Sequence, residues 1–226
     1  MTAADTLATL KAAADPERAA QMAAYHKAPR RYLGLSNAFC NDLARDLRQS
    51  LTLGDRLKLA DALWQTDIFE ARITAAKLLV QARIKPDDGP AWDLIQSWLP
   101  DLDSWAIADA VALAGQRRLT ADPARLDTVE TWTTSPHLWT RRAALTFTLP
   151  WTKQRHPKPA EQAARARILG WAAAYTHDPN WFIQKAVAWW LRDLSKRDPE
   201  TVRAFLATHG PDMKSFATRE AARHLP

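Results

Sequence analysis

Apolar residues recur along the chain in segments with helical spacing, and the segments are separated by short stretches that contain Pro, Asp and Ser. Alternation of Val, Ile and Thr, which is typical of strands, is nearly absent. The pattern therefore predicts an all-α protein. The predicted helices cover residues 3–14, 16–28, 36–50, 54–65, 67–84, 89–98, 101–117, 122–133, 136–149, 159–175, 179–196, 199–208 and 212–224. Since the spacers are short, neighbouring helices are expected to form antiparallel hairpins.

Several predicted helices begin with a capping residue followed by proline. An Asp or Ser side chain accepts hydrogen bonds from the first free N–H groups, and Pro suits the first helical position. The dipeptides with this pattern are Asp15-Pro16, Asp122-Pro123, Ser135-Pro136, Asp178-Pro179 and Asp198-Pro199. Each is expected to start a helix.

A short pattern of polar, basic and small apolar residues recurs in the second half of the chain. Leu138–Ala144 (LWTRRAA) matches residues 182–187 (FIQKAV), and Thr218–Ala222 (TREAA) is a third, weaker copy. Arg141 and Gln184 are 43 residues apart, and Gln184 and Arg219 are 35 apart. This spacing of helix pairs predicts one HEAT-like α-solenoid domain over residues 1–226, with a concave basic face lined by the second helix of each pair.

One predicted helix, after Pro100, places a carboxylate beside an indole. Trp105 and Asp109 are four residues apart and so share a helix face. Most of the remaining helix is Ala, Leu, Ile and Val. Taken alone, the pair fits a core Trp and a solvated acid, because carboxylates are mostly exposed.

The charge is uneven along the chain. The formal net charge is +6, with +8 on residues 137–226 and −2 on residues 1–136. A basic half favours a polyanionic partner, with nucleic acid the leading candidate, although a generally basic surface explains the charge equally well.

The sequence offers no support for a metal site, a disulfide or a membrane span. Cys40 is the only cysteine and is expected to be an inert, partly buried thiol, and the six histidines are scattered. The N-terminus has no apolar signal-peptide region, and no apolar run approaches the ~18 residues of a span. We expect a cytoplasmic monomer without metal or cofactor.

Eleven tryptophans exceed what a helical protein of this length normally contains. Most are expected to pack in the core, and a few to face a ligand. The core set is predicted to be Trp64, Trp92, Trp98, Trp132, Trp171 and Trp181. Trp189 and Trp190 are adjacent, so at most one of them is expected to face a groove.

Five segments, in order, resemble the AlkD-type DNA glycosylases, a family of HEAT-like-repeat DNA alkylation repair proteins. They are Tyr25-His26-Lys27 with Tyr32–Leu35 (YLGL), Trp105–Asp109 (WAIAD), Leu138–Ala144 (LWTRRAA), Phe182–Trp189 (FIQKAVAW) with Leu191-Arg192, and Arg219–Ala221 (REA). Together they span about residues 25 to 224.

The resemblance implies a role for individual residues. Trp105 and Trp189 would flank the sugar and phosphate of the lesion, Asp109 would be the catalytic carboxylate, and Arg142 would hold the adjacent phosphate. DNA contacts are implied for Tyr25, Lys27, Arg141, Lys185 and Arg219. The family often has a second acid directly after the first Trp, where this chain has Ala106.

The implied function is hydrolysis of the N-glycosidic bond of positively charged alkylpurines, N3-alkyladenine and N7-alkylguanine, in duplex DNA. Such an enzyme would start base excision repair and lie at the nucleoid when bound to DNA. Two alternatives remain open: a non-catalytic DNA-binding HEAT-repeat protein and a HEAT-type protein–protein scaffold. The basic, Pro-rich spacer Thr152–Pro159 (TKQRHPKP) fits a phosphate-contacting loop or a bare linker equally well.

Overall fold

The computed structural model describes residues 2–225, and within them the chain is all-α, as the sequence pattern predicts. The chain divides into two compact units, residues 1–121 and 122–226. Each of the thirteen predicted segments overlaps one α-helix of the described chain. The only extended pairing in this range is a single parallel bridge between Arg31 and Ile68. No helix among the described residues is long and apolar enough to cross a membrane.

The first unit contains seven helices within its described residues. They are α1 (Ala3–Ala12), α2 (Pro16–His26), α3 (Asn37–Ser50), α4 (Leu53–Trp64), α5 (Phe69–Leu78), α6 (Gly89–Ser97) and α7 (Trp105–Ala121). Helix α5 is the centre of this unit, because it packs on α3, α4 and α7 and all ten of its residues are buried.

The second unit contains six helices within its described residues. They are α8 (Leu126–Trp132), α9 (Leu138–Thr146), α10 (Pro159–Ala174), α11 (Trp181–Ser195), α12 (Pro199–His209) and α13 (Ser215–Ala221). Helix α11 is central here and packs on α9, α12 and α13. Consecutive helices also pack together, α8 with α9 and α11 with α12, as expected for helix pairs.

Three of the five Pro-led capping predictions are confirmed. The side chains of Asp15 and Asp198 accept from backbone N–H groups three residues on and cap α2 and α12. Asp122 caps a short 3-10 helix, Pro123–Arg125, that leads into α8.

The other two capping predictions are wrong. The Ser135 hydroxyl accepts from the N–H of His137, and α9 begins only at Leu138. The Asp178 carboxylate accepts from the N–H of Asn180, and it is Asn180 that caps α11. In both cases a side chain of the helix, Arg141 or Gln184, donates a hydrogen bond to a carbonyl oxygen of the segment before it. The Pro residue of that segment therefore lies outside the helix.

Two further helix boundaries differ from the prediction because side chains hold the neighbouring backbone. The predicted helix over 67–84 ends at Leu78, and the fully buried Arg118 bonds to the carbonyl groups of Gln81 and Ala82 and to Asp88 (2.8 Å). The chain after Pro100 does not yet form α7. Instead, Asp101 ends a 3-10 turn and is held by the indole N–H of Trp64 (3.4 Å) and by Arg72, which bonds its carbonyl (3.1 Å). Helix α7 therefore starts four residues later than predicted.

The tryptophans largely follow the prediction. Trp64, Trp92, Trp98, Trp132 and Trp171 are buried, and Trp64 stacks on Trp98 with ring centroids 4.5 Å apart. Trp190 is fully buried whereas Trp189 is half-buried, as expected for adjacent residues on a helix. The prediction is wrong for Trp181, which is 46% exposed because it lies at the first position of α11. Cys40 is buried, and burial raises the pKa of its thiol.

The buried Glu70 side chain fixes the loop before α3. Its carboxylate accepts hydrogen bonds from the N–H groups of Leu33 (2.9 Å), Gly34 (2.8 Å) and Leu35 (3.2 Å). Gly34 has a left-handed φ of 82°. A Cβ atom there would lie 2.2 Å from the carbonyl oxygen of Asp15, so this loop requires glycine.

We expect Gly34→Ala to lower the free energy of unfolding by about 2–4 kcal/mol, because the substitution adds both a backbone clash and left-handed strain. Urea unfolding of both proteins measures the difference. Gly170→Ala is the control: an added Cβ meets nothing within 4 Å in the exposed interior of α10, so helix propensity should stabilise that variant by up to about 1 kcal/mol. Equal changes in the two variants would contradict the prediction.

We expect Glu70→Gln to lower the free energy of unfolding by about 2–4 kcal/mol, because an amide offers one acceptor oxygen where the carboxylate serves three buried N–H groups. Glu200→Gln, on an exposed side chain of α12, provides the comparison and should change it little. The prediction fails if hydrogen exchange at the amides of residues 33–35 is as slow in Glu70→Gln as in the parent.

Candidate functional site

Helices α7, α9, α11 and α13 place four of the nine predicted site residues at the same helix position. The fifth residue of each helix is Asp109, Arg142, Lys185 and Arg219, respectively. The predicted roles of these four residues therefore fall on a single repeat position. The helix starts that establish this register were not available from sequence, since all four were predicted two to four residues too early.

The fourth residue has a different, structural task in two of these helices, α9 and α11, and in α5. Arg72 of α5, Arg141 of α9 and Gln184 of α11 each donate a hydrogen bond to the carbonyl oxygen six residues earlier. Those oxygens belong to Thr66, Ser135 and Asp178. The fourth position thus fastens the preceding loop to its helix.

Arg141 is accordingly occupied with protein groups. Its guanidinium donates to the carbonyl oxygens of Ser135 (2.8 Å) and Pro136 (3.0 Å) and pairs with Asp178 at 3.3 Å. Gln184, its counterpart, is buried and bonds three carbonyl oxygens while accepting from the N–H of Lys214. A DNA contact by Arg141 stays a prediction, and these bonds give it a loop-fastening role as well.

In the first unit, Trp105 is part of an aromatic cluster. Its indole meets the ring of Tyr25 edge-on at 5.7 Å and lies 5.0 Å from the ring of His26. His26 in turn stacks on Phe69 (4.9 Å), which stacks on Tyr32 (4.6 Å). Trp105 is the first residue of α7 and half-buried, so one part of the indole packs on this cluster while the rest remains accessible.

Asp109 lies one turn after Trp105 on α7, as the four-residue spacing predicts, and its side chain is half-buried. Leu113, a further turn along the same face, is 52% exposed. The helix therefore presents an indole, a carboxylate and an exposed apolar side chain in a row. Leu113 was not singled out from sequence, because an Ala- and Leu-rich helix gives no sign of which leucine faces solvent.

His26 was also missed as a site residue. Its Nδ1 atom is buried and makes no hydrogen bond, and its ring lies between Phe69 and Trp105. Burial lowers the pKa of this imidazole, although the charge of Glu70 acts in the opposite direction. His26 is therefore a neutral, ring-packing support of Trp105. Tyr25 beside it is 70% exposed, and Lys27 follows in an exposed left-handed position that ends α2.

In the second unit, Arg142 is buried and its guanidinium lies 5.9 Å from the ring centroid of Trp139. An arginine over an indole face is attracted to the ring by a cation–π interaction. Trp189 donates its indole N–H to the Asp193 carboxylate (3.2 Å), which fixes the ring on α11.

Lys185 and Arg219 are exposed, and Lys185 is joined to an aromatic pair. Its Nζ atom lies 4.8 Å from the ring centroid of Trp181, which stacks on Phe216 at 5.5 Å. Trp181 and Phe216 belong to α11 and α13, so this pair also docks α13 on α11. The described residues contain no group of three or more potential metal ligands.

A family model for DNA alkylation repair enzymes matches residues 6–225, so the chain belongs to the DNA alkylation repair enzyme family. None of the curated protein sequences matches it. Among solved structures, it is similar to a "Predicted DNA alkylation repair enzyme from Enterococcus faecalis", with a TM-score of 0.77, 21% identity and coverage of 94% of this chain and 96% of that one.

A second similar structure is AlkD2 from Streptococcus mutans, with a TM-score of 0.63, 20% identity and coverage of 84% of this chain and 91% of that one. At these identities the likeness establishes the fold alone. The all-α repeat fold expected from the sequence is thus confirmed, while the roles of individual residues stay predictions.

We expect His26→Phe to reduce the loss of stability in acid. In the unfolded chain the imidazole takes up a proton near its ordinary pKa of about 6.5, but in the fold its pKa is lower. The unfolded state therefore binds more protons below that pH, and the free energy of unfolding falls as the pH falls through 6.5. Phenylalanine keeps the ring packing and removes this proton uptake.

Urea unfolding at pH 7.5 and pH 5.0 tests this expectation. The fall in unfolding free energy between the two pH values should be smaller for His26→Phe than for the parent. His224→Gln, at an exposed position, should retain the fall of the parent. An equal fall in all three proteins would show that folding does not lower the pKa of His26.

Proposed function

We propose that the protein is a monofunctional DNA glycosylase that hydrolyses the N-glycosidic bond of cationic alkylpurines, N3-alkyladenine and N7-alkylguanine, in duplex DNA. The observation that carries the proposal is the Trp105–Asp109 pair at the start of α7, in a chain of the DNA alkylation repair enzyme family. Asp109 is the only acid at the fifth position of α7, α9, α11 and α13, where the other three helices have Arg or Lys.

The charge of the substrate explains why one carboxylate suffices. A purine alkylated at N3 or N7 is already positive, so the base departs with the electron pair of the glycosidic bond and becomes neutral without prior protonation. The sugar left behind is an oxocarbenium-like cation. Water then adds to its C1′ atom and loses a proton. A carboxylate directed at the sugar stabilises this cation and accepts a hydrogen bond from the attacking water.

The remaining residues have supporting roles in this proposal. Trp105 and Trp189 flank the sugar and phosphate, and each indole face attracts the cation by about 0.5–2 kcal/mol. Arg142 holds the phosphate beside the lesion through two parallel N–H groups. Lys185 and Arg219, exposed at the same helix position, contact neighbouring phosphates, and Tyr25 and Lys27 contact the backbone next to Trp105.

An acid among phosphate-binding cations lowers DNA affinity, since it repels the backbone. Its presence is therefore better explained by chemistry than by binding. Ala106 stands where the resembled family often has a second acid, which leaves Asp109 to carry the electrostatic role in this proposal.

We expect Asp109→Asn to release base about 10²–10³-fold more slowly than the parent, because it removes the charge that opposes the sugar cation. The measurement is release of 7-methylguanine and 3-methyladenine from methylated duplex DNA under single-turnover conditions. Binding of undamaged duplex should be unchanged or tighter. Asp93→Asn, on an exposed side chain of α6, is the control and should release base at the rate of the parent.

Release by Asp109→Asn at the parental rate would exclude Asp109 as the catalytic carboxylate. If the parent binds duplex DNA in a salt-dependent way but releases no base, the protein is a non-catalytic DNA-binding repeat protein. If it does not bind DNA, the scaffold interpretation gains support.

A further inference from the structure

The positive charge of the protein resides in its second unit. Residues 1–121 have equal numbers of acidic and basic side chains, so residues 122–226 account for the whole net charge of +6. Many cations of this unit are neutralised by acids: Arg167 pairs with Asp127 (2.6 Å) and Glu130, Arg192 with Glu220, and Arg203 with Glu200. The excess charge therefore resides on cations outside these pairs.

One set of cations outside these pairs lies in the loop that follows α9 and in the turn that follows α11. Residues 153–158 contain three Lys or Arg side chains and one His but no acid, and the turn after α11 adds two more cations. Within residues 2–225, the side chains of Lys153, Arg155, Lys158 and Arg197 form no ion pair, and all four residues are exposed. We call Lys153, Arg155, Lys158, Lys196 and Arg197 the basic patch.

A buried arginine of α10 joins the two halves of the basic patch. Arg165 donates to the carbonyl oxygens of Trp151 (3.2 Å) and Gln154 (3.2 Å) in the loop, and it pairs with Asp198 (3.4 Å) in the turn. The loop and the turn are thereby held side by side. Arg165 also neutralises Asp198, the acid that directly follows Arg197.

The other acids near the basic patch are occupied as well. Asp193 accepts the indole N–H of Trp189 and lies 3.6 Å from both Arg192 and Lys196. Glu161 accepts the backbone N–H of Lys158 at the start of α10. Five cations that are held together with little acid to balance them repel one another, which an anionic ligand relieves.

The basic patch is separate from Lys185, the fifth residue of α11. At 1.5 Å per residue, the backbone of Lys196 is about 17 Å from that of Lys185 along the helix axis, whereas the Asp193 carboxylate lies between the Trp189 indole and Lys196. A phosphate group held at Lys185 is thus out of reach of the patch. A ligand that engages both must be an extended polyanion.

We propose that the basic patch is a second DNA-backbone surface, which binds phosphates of the duplex outside the lesion and adds affinity without taking part in base release. The ligand is the sugar–phosphate backbone of duplex DNA, recognised by charge and not by sequence. This inference rests on the proposed function for the identity of the ligand. Its test uses undamaged DNA and does not depend on base release.

The test compares two variants with the same change in charge. The patch variant carries Lys153→Gln, Arg155→Gln, Lys158→Gln and Arg197→Gln. The control variant carries Lys11→Gln, Lys58→Gln, Arg83→Gln and Lys85→Gln, at exposed positions of the first unit. Dissociation constants for an undamaged duplex of about three helical turns are measured over a range of salt concentrations.

The expected result is a weaker dependence on salt in the patch variant. Each lost phosphate contact reduces the slope of log K against log salt by about 1, so four removed cations should reduce it by about 2–4 and weaken binding at low salt by more than about tenfold. In the control variant, the reduction of the slope should be less than half of the reduction in the patch variant. A patch variant with the slope and affinity of the control overturns the proposal.

A measurement of base release distinguishes a failure of this inference from a failure of the proposed function. At saturating protein, the patch variant should release methylated base at the parental single-turnover rate, while half-saturation requires more protein. A slower rate at saturation would place the patch in the reaction and overturn its assignment to binding alone. A parent protein without base release refutes the proposed function, and the binding comparison still decides the role of the patch.

Discussion

The structure depends on side chains that satisfy the peptide groups of the connections between helices. A helix satisfies its own backbone, but the connecting segments of a packed helical protein have buried N–H and C=O groups that need partners. Here the partners are side chains of the central helices: the Glu70 carboxylate of α5 accepts from three N–H groups, and the Gln184 amide of α11 donates to three carbonyl oxygens. Removing any one of these side chains leaves several buried polar groups unpaired at once.

The same constraint separates the loop-binding fourth residues from the fifth residues of the repeat helices, to which the proposed function assigns ligand contacts. Because a fourth residue reaches back six positions to a carbonyl oxygen, its side chain is directed at the preceding loop. The fifth residue is rotated about 100° further round the helix, so its side chain is not directed at the preceding loop. Arg141 and Arg142 therefore differ in surroundings although they are neighbours of the same type. One bonds to Ser135, Pro136 and Asp178, and the other lies over the Trp139 ring.

Much of the fold was predictable from the sequence, because apolar periodicity and short spacers are local signals. Two of the boundaries that failed were set by distant groups: Arg118 ends α5 early by binding residues 81, 82 and 88, and Trp64 with Arg72 delays α7 by holding Asp101. The pairing of Trp105 with Asp109 was predictable from their spacing alone. The support of Trp105 by His26 and Phe69 was not, since it joins three helices that are far apart in sequence.

The separation of the fourth and fifth positions has a consequence for how such a protein changes over time. In the proposed function, loop attachment and ligand chemistry fall on adjacent residues, so the fifth position could be exchanged among acid, base and apolar types while the scaffold stays intact. The presence of Ile73, Asp109, Arg142 and Lys185 at that one position shows the range of side chains that it accepts. On the proposed roles, a new specificity would require a substitution at the fifth position and not a new fold.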